Sequence, residues 1–432
     1  MMSHYSIGQW QDSKIGELMR IKHGYAFKGE FFSDGGPYIV LTPGNFYDAG
    51  GLKLKGDKEK YYIGPFPKDF ILKLQDLLVV MTEQAEGLLG SAAFIPENNL
   101  YLHNQRLGLI TDLKTEKIDK NFLYYLFNSR DVRTQIRASA NGTKIRHTSP
   151  DRIYQVKIKI PLVKTQQKIA AILSAYDDLI ENNTRRIKIL EEMAQAIYRE
   201  WFVHFRFPGH EGVRMVESEL GLVPEGWSIK DIQNICAKIQ SGGTPSRNNE
   251  EYWITGTIEW YKTKELQDGF LIDSEEKITE KGLKNSSAKI FPEDTIIIAL
   301  YASPTLGRMG ILTKSATFNQ ATCALIPNPN CMSMQFLFFL LLNSRDYFRR
   351  IAQGAAQQNI NVLKLKETPI VLPPKAIVDS FTTIVTPVFE NIKILTVKNK
   401  NLRRSRDLLL PKLISGEIDV SDMGIKIPEA EA

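Results

Sequence analysis

The sequence predicts an α+β fold arranged as a tandem pseudo-repeat, in which two mixed α/β domains are separated by two long antiparallel coiled-coil helices. Three observations carry this expectation. Two apolar seams have heptad spacing, the two halves of the chain share an ordered series of phrases, and the composition is that of a folded protein.

In the first seam Ile169, Leu173, Tyr176, Ile180, Asn183, Ile187, Leu190, Ala194, Ile197 and Trp201 recur at alternating steps of four and three. That spacing keeps one stripe of a helix turned toward a partner helix. Thr165 is a good N-cap, so a helix is predicted over 165–206. From Thr165 to Trp201 it would run roughly 55 Å at 1.5 Å per residue, which reads as a strut between domains. The second seam, Phe381, Val385, Val388, Ile392, Leu395, Asn399, Leu402, Arg406, Leu409 and Leu413, repeats the first at an offset of 212 and predicts a helix over 375–416. Pro387 and Pro411 are expected to kink it near its start and end, and Gly416 to stop it. In parallel pairing Asn183 would meet Leu395, burying an amide against an apolar side chain. Antiparallel pairing sets Asn183 opposite Asn399, where the two amides can bond and fix the register. It also brings Ala194 near Val388, and Arg406 near Tyr176, whose ring its head could pass.

The duplication extends beyond the seams. Trp10 and Gly24 answer Trp227 and Gly242; Asp76–Val80 answers Asp294–Ile298; Asn104-Gln105 answers Asn319-Gln320; Asn128-Ser129-Arg130-Asp131 answers Asn343-Ser344-Arg345-Asp346. Order and spacing are kept throughout, the mark of an internal repeat. The domains are therefore placed at 1–164 and 223–374, with helices at 165–206 and 375–416, a linker at 207–222 and a tail at 417–432. Within the first domain Leu77–Met81, Ser91–Ile95 and Leu107–Ile110 read as strands and Asn121–Arg137 as helix. Leu88–Gly90 and Leu306–Gly310 fall at matching turns, and Ser241–Ser246 is a Gly-rich loop.

The 432 residues are 43% hydrophobic and 24% charged, with a net charge of +6, a mild excess that permits a polyanionic partner. The longest apolar runs, Phe336–Leu342 and Ile296–Ala302, fall far short of the roughly 20 residues needed to span a bilayer. The polar Met1–Trp10 lacks a signal-peptide core. A cytoplasmic protein without membrane contact is expected. Cys236, Cys323 and Cys331 have no metal or disulfide spacing and read as buried or incidental thiols.

A search for chemistry returns little. There is no phosphate-binding GxxxxGK[ST] loop and no Asp/Asn-Pro-Pro-aromatic stretch of an amino-methyltransferase, Leu372-Pro373-Pro374-Lys375 lacking both the polar and the aromatic residue. The histidines lack metal spacing. Glu275-Glu276-Lys277 resembles a nuclease cluster superficially but reads as solvated surface. No catalytic residue and no metal ligand is assigned.

Other features favour DNA. Asn141–Thr148 precedes the first seam and carries Thr143, Lys144, Arg146 and His147; the matching place in the second half carries Gln357, Gln358 and Asn359. Lys, Arg and hydroxyl groups suit phosphates, whereas Arg reads guanine and Asn or Gln reads adenine. Thr244 and Ser246 of the Gly-rich loop and Arg308 complete the candidates. Asn104, Gln105, Asn319 and Gln320 could join them, but satisfying backbone groups at strand ends is the preferred reading. The bland alternative for the whole set is a group of polar loops capping a sheet, and the equivalence of the two loops weighs against it.

Three phrases now carry a resemblance: Leu222–Trp227 (LVPEGW) opening the second half, Ile197–Val203 (IYREWFV) ending the first helix and Leu409–Ile418 (LLPKLISGEI) ending the second. With the repeat, they make the whole chain resemble the specificity (S) subunit of type I restriction-modification systems. The resemblance implies a non-catalytic subunit with two target-recognition domains, each reading half of a bipartite site in double-stranded DNA, and helices that act as spacer. It implies docking of modification subunits, usually two, which use S-adenosylmethionine, and of ATP- and Mg-dependent restriction subunits, with no cofactor in this chain. The charge difference between Thr143–His147 and Ala355–Asn359 predicts that the halves read different bases. The alternative is a coiled-coil scaffold whose globular parts do not touch DNA; an enzyme with an unrecognised site is a third possibility.

Overall fold

The computed structural model describes residues 10–83, 86–301, 305–352 and 359–428. The chain forms two compact units, Met1–Leu179 with Leu402–Ala432, and Ile180–Asn401. Each holds one globular domain and a stretch of both long helices.

In the first unit a four-stranded antiparallel sheet runs in the order Arg20–His23, Leu107–Thr111, Leu77–Val80, Ala92–Phe94. Leu77–Val80 is buried on both faces, which is why it reads as a continuous apolar run. Leu77 and Val79 face a core shared with the helices, and Leu78 and Val80 a second core beneath the loops. A smaller sheet joins Tyr38–Val40 antiparallel to Tyr61–Tyr62 and parallel to Tyr101–Leu102. Gln11–Lys14 pairs with Lys157–Ile160 just before the long helix.

The second unit repeats this plan. Its sheet runs Cys236–Ser241, Thr322–Pro327, Ile296–Ala299, Met309–Leu312, with Gly269–Leu271 added parallel at the edge. Ile296 and Ile298 face one core, Ile297 and Ala299 another. Ile258–Tyr261 pairs antiparallel with Glu276–Ile278 and parallel with Thr317–Phe318, and Ser228–Asp231 pairs with Pro369–Leu372. The repeated glycines have one cause. A Cβ on Gly24 would lie 2.0 Å from Asn104 O, and one on Gly242 would lie 2.1 Å from Phe318 O, so in both copies the strand end tolerates no side chain there.

Several boundaries differ from expectation. Asn121–Arg137 is two helices, Lys120–Asn128 and Arg130–Ala138, broken at the extended Ser129. The Asn128 amide causes the turn to be held, pairing with both backbone groups of Ala92 at 2.9 and 3.2 Å. The first long helix is Val163–Tyr198, followed by a π-helical turn Arg199–Val203. Its N-cap is Leu162 rather than Thr165, since Leu162 O accepts from the N–H groups of Thr165 and Gln166. The 207–222 linker contains part of a hairpin, Met215–Ser218 with Gly221–Pro224. The second long helix, Lys375–Ile414, is continuous through Pro387 and Pro411, with Val385, Phe389 and Leu413 buried around them. Gly416 follows in left-handed conformation, φ +79°, with Trp10 against it.

All seam positions are buried or half-buried. In the second unit Asn183 Nδ2 donates to Asn399 Oδ1 at 2.9 Å, while Asn399 Nδ2 donates to Thr184 Oγ1 at 3.1 Å and Ile180 O at 3.3 Å. Trp201 and Tyr198 lie against Phe381 further along, so the helices run antiparallel there. Ala194 and Val388 belong to one core. Arg406 departs from expectation. Its guanidinium pairs with Asp177 Oδ1 at 2.5 Å instead of passing the Tyr176 ring, and Tyr125 Oη donates to Asp177 Oδ2 at 2.7 Å. A carboxylate one residue beyond the seam offers a charge-assisted bond that a ring face does not match.

Candidate nucleic-acid interface

The strand registers bring the described candidate residues of each domain to one end of its central sheet. In the first domain that end carries the segments after His23 and Val80 and those before Leu107 and Ala92. Thr82–Glu83 then pairs antiparallel with Arg146–His147. The candidate loop is a tight hairpin: Asn141 and His147 exchange both backbone hydrogen bonds at 2.9 Å, and Gly142, at φ +98°, has no room for a Cβ because Ile145 O would be 2.0 Å away. Thr82 Oγ1 lies 3.0 Å from His147 Nδ1. Thr143, Lys144 and His147 are exposed and Arg146 half-buried. A short loop held at its base thus projects one lysine and one arginine with little freedom of backbone. Exposed Arg106, not singled out by the sequence, shares this end; its only signal is its place directly after the repeated Asn-Gln phrase.

The second domain gathers its candidates in the same way. Tyr301 pairs with Asn359, and Ile360 N donates to Leu300 O, as Thr148 N does to Met81 O at the equivalent place in the first domain. Gln357 and Gln358 lie outside the described residues. Half-buried Arg308 precedes Met309–Leu312 at this end. Thr244 follows Cys236–Ser241 and its hydroxyl donates to Gln320 Oε1. The backbone of Ser246 accepts from Trp253 Nε1 at 3.1 Å, and Gly243 O from Trp260 Nε1 at 2.9 Å. Two indoles therefore hold the Gly-rich loop, and Arg247 stacks over them at 3.7 and 4.8 Å while bonding Glu276. Arg247 and Lys262 both pair with Glu276, and Lys262 also with Glu275; Arg247 first, against the opposing effect of burial and with Lys262, holds the Glu276 carboxyl at about 2. Asn104 and Asn319 bond locally, to Arg106 N and Thr322 Oγ1.

Elsewhere in this domain the buried Glu259 carboxylate receives Lys277 and Lys314 at 2.8 Å and both Ser274 donors. Among the described residues no group of three or more His, Cys, Asp or Glu is placed to hold a metal ion, and no helix is long and apolar enough to cross a membrane. The cysteines are free; burial pushes the Cys236 and Cys323 thiols up to about 12.

Fold and site define a duplicated protein with two equivalent, loop-bearing sheet ends and a pair of long helices. The chain belongs to the type I restriction modification DNA specificity domain family, whose model matches residues 7–192 and 224–404. The specificity subunit of the type I restriction enzyme MjaIX from Methanocaldococcus jannaschii is 30% identical over 322 residues, 73% of either chain. That of HindI from Haemophilus influenzae is 26% identical over 388 residues, 74% of this chain and 83% of its own. The crystal structure of a type I restriction-modification S subunit from M. genitalium has the same fold, with a TM-score of 0.60 at 17% identity over 96% of this chain and 98% of that one.

Proposed function

We propose that this chain is the DNA sequence-recognition subunit of a type I restriction-modification complex, each domain reading one half of a bipartite target through the loops at its sheet end. The observation that carries the reading is the repetition of that end: in both domains the segment before the long helix pairs with the strand-end segment beside the central sheet. One copy offers Lys144 and Arg146, the other Asn359 and Arg308, so the halves read different bases. The long helices serve as spacer and as docking surface for modification subunits, two in number; the exposed Leu179, Ile189, Met193, Ile384, Ile394 and Leu408 suit that contact. The chain itself does no chemistry. S-adenosylmethionine, ATP and Mg belong to the modification and restriction subunits, and the complex acts in the cytoplasm.

Selection from random-sequence duplexes by the full chain together with its modification subunit tests this. Enrichment of a bipartite sequence with a fixed gap is expected. Binding of the modification subunit without any enrichment would instead support a scaffold that does not read DNA.

A further inference from the structure

Each domain holds a tight turn beside its reading loop with an arginine and an aspartate, and we propose that these two clamps position the loops for base discrimination. The inference rests on the DNA-reading function proposed above. In the first domain Arg133 donates to Leu89 O at 2.9 Å and Asp48 O at 2.7 Å, pairs with Asp48 Oδ1 at 3.0 Å and bonds Gly87 O. In the second, Arg345 donates to Gly307 O and to Asp268 Oδ2, each at 3.0 Å, and also bonds Asp268 Oδ1.

Both clamps tie the turn to an aspartate outside it, but through arginines at different places. Arg345 opens its helix, Arg345–Ile351, whereas Arg133 lies one turn into Arg130–Ala138, where the repeat places Arg130 opposite Arg345. A contact kept by different residues in two copies points to a requirement for the contact itself. Gly87 and Gly307 are both left-handed, at φ +111° and +75°. A Cβ on Gly87 would meet Asp48 Oδ1 at 2.9 Å, and one on Gly307 would meet Arg345 Cγ at 3.2 Å. Asp268 is itself left-handed at φ +63°, a conformation held at some cost by a non-glycine residue, and it accepts from Met309 N at 2.9 Å.

The clamped turns are tied directly to the reading loops. Glu83, whose backbone pairs with Arg146, accepts from Gly87 N at 3.2 Å and Leu89 N at 2.8 Å. Gly307 N donates to Ala299 O, one residue before the Leu300 carbonyl that receives Ile360 N. A shift of either turn therefore reaches the loop through one or two residues. The clamp arginine side chains are only 15% and 17% exposed and already paired, and neighbouring Arg137 is engaged by Glu83 and Glu86. These arginines act on the protein rather than on phosphate.

The test uses the full chain with its modification subunit and scores discrimination at every base pair of the selected site. Arg345→Gln and Asp268→Asn should each lower discrimination about tenfold within one half-site and leave the other at the wild-type level; Arg133→Gln should do the reverse. Salt dependence should be unchanged in all three. Arg345→Lys, which keeps the charge but not the fork, should fall between. Unaltered discrimination, an equal loss in both half-sites, or a salt slope reduced by about one, the mark of a lost phosphate contact, would overturn the proposal. Should Arg345→Gln abolish binding, Asp268→Asn decides by the same criteria, because Asn tolerates the left-handed backbone. A wild-type complex that selects no bipartite sequence would defeat the DNA-reading function instead, and is distinguished by the absence of any half-site to score.

Discussion

Replacing the Asn183–Asn399 pair with leucine tests whether the amides set the pairing of the long helices. Asn399 is 3% exposed and makes three hydrogen bonds, one of them to Asn183. Asn183→Leu alone removes the donor to Asn399 Oδ1 and leaves that oxygen buried, which costs about 1–3 kcal/mol, partly offset by the apolar contact a half-buried leucine gains. A net loss of about 1–2 kcal/mol is expected. Asn399→Leu removes all three bonds at about 1 kcal/mol each but buries a leucine side chain at a gain of about 1.5–3 kcal/mol, so its net loss should be about 0–1.5 kcal/mol. In the double variant no unpaired oxygen remains, and stability should equal or exceed that of the wild type. The pair should therefore be coupled by about 1–3 kcal/mol. The assay is urea unfolding of the full chain followed by far-UV ellipticity, run as a double-mutant cycle. Single effects that add to within about 0.5 kcal/mol would refute the reasoning.

Three further outcomes are expected. Arg146→Ala should weaken discrimination at one base pair by about 1–3 kcal/mol and leave the other half-site untouched; a uniform loss across sequences would reassign it to phosphate. Lys144→Ala should weaken all sequences alike and reduce the slope of log affinity against log salt by about one, measured by titration at several salt concentrations; an unchanged slope would remove Lys144 from the phosphate contacts. For Glu259, burial opposes ionisation, yet Lys277, Lys314 and Ser274 hold the folded carboxyl at about 2, below its ordinary 4.5. The resulting stabilisation, at most about 3 kcal/mol, is present above pH 4.5 and is lost as pH falls toward 2. Glu259→Gln should lower the urea midpoint at pH 7 and flatten its decline in acid; an identical acid profile would show that the lysines do not stabilise the folded state through this carboxylate.

The sequence by itself determined the repeat, the two seams and the buried central strands, because heptad periodicity, continuous apolar runs and repeated glycines are properties of one local stretch. Tertiary structure decided the polar partnerships. Nothing near Ser129 in the chain announces a helix break, since the Asn128 amide that holds it bonds Ala92, on a strand distant in sequence. Arg406 has Asp177 as its partner only because the helices pair antiparallel. The repeated Asn-Ser-Arg-Asp phrase marked the place of the clamps, but in the first domain Arg133 rather than Arg130 reaches the turn. An apolar side chain needs only a face to be buried on, which periodicity records. A polar one needs a particular atom within about 3 Å, and which atom arrives there is settled by how distant loops fold together.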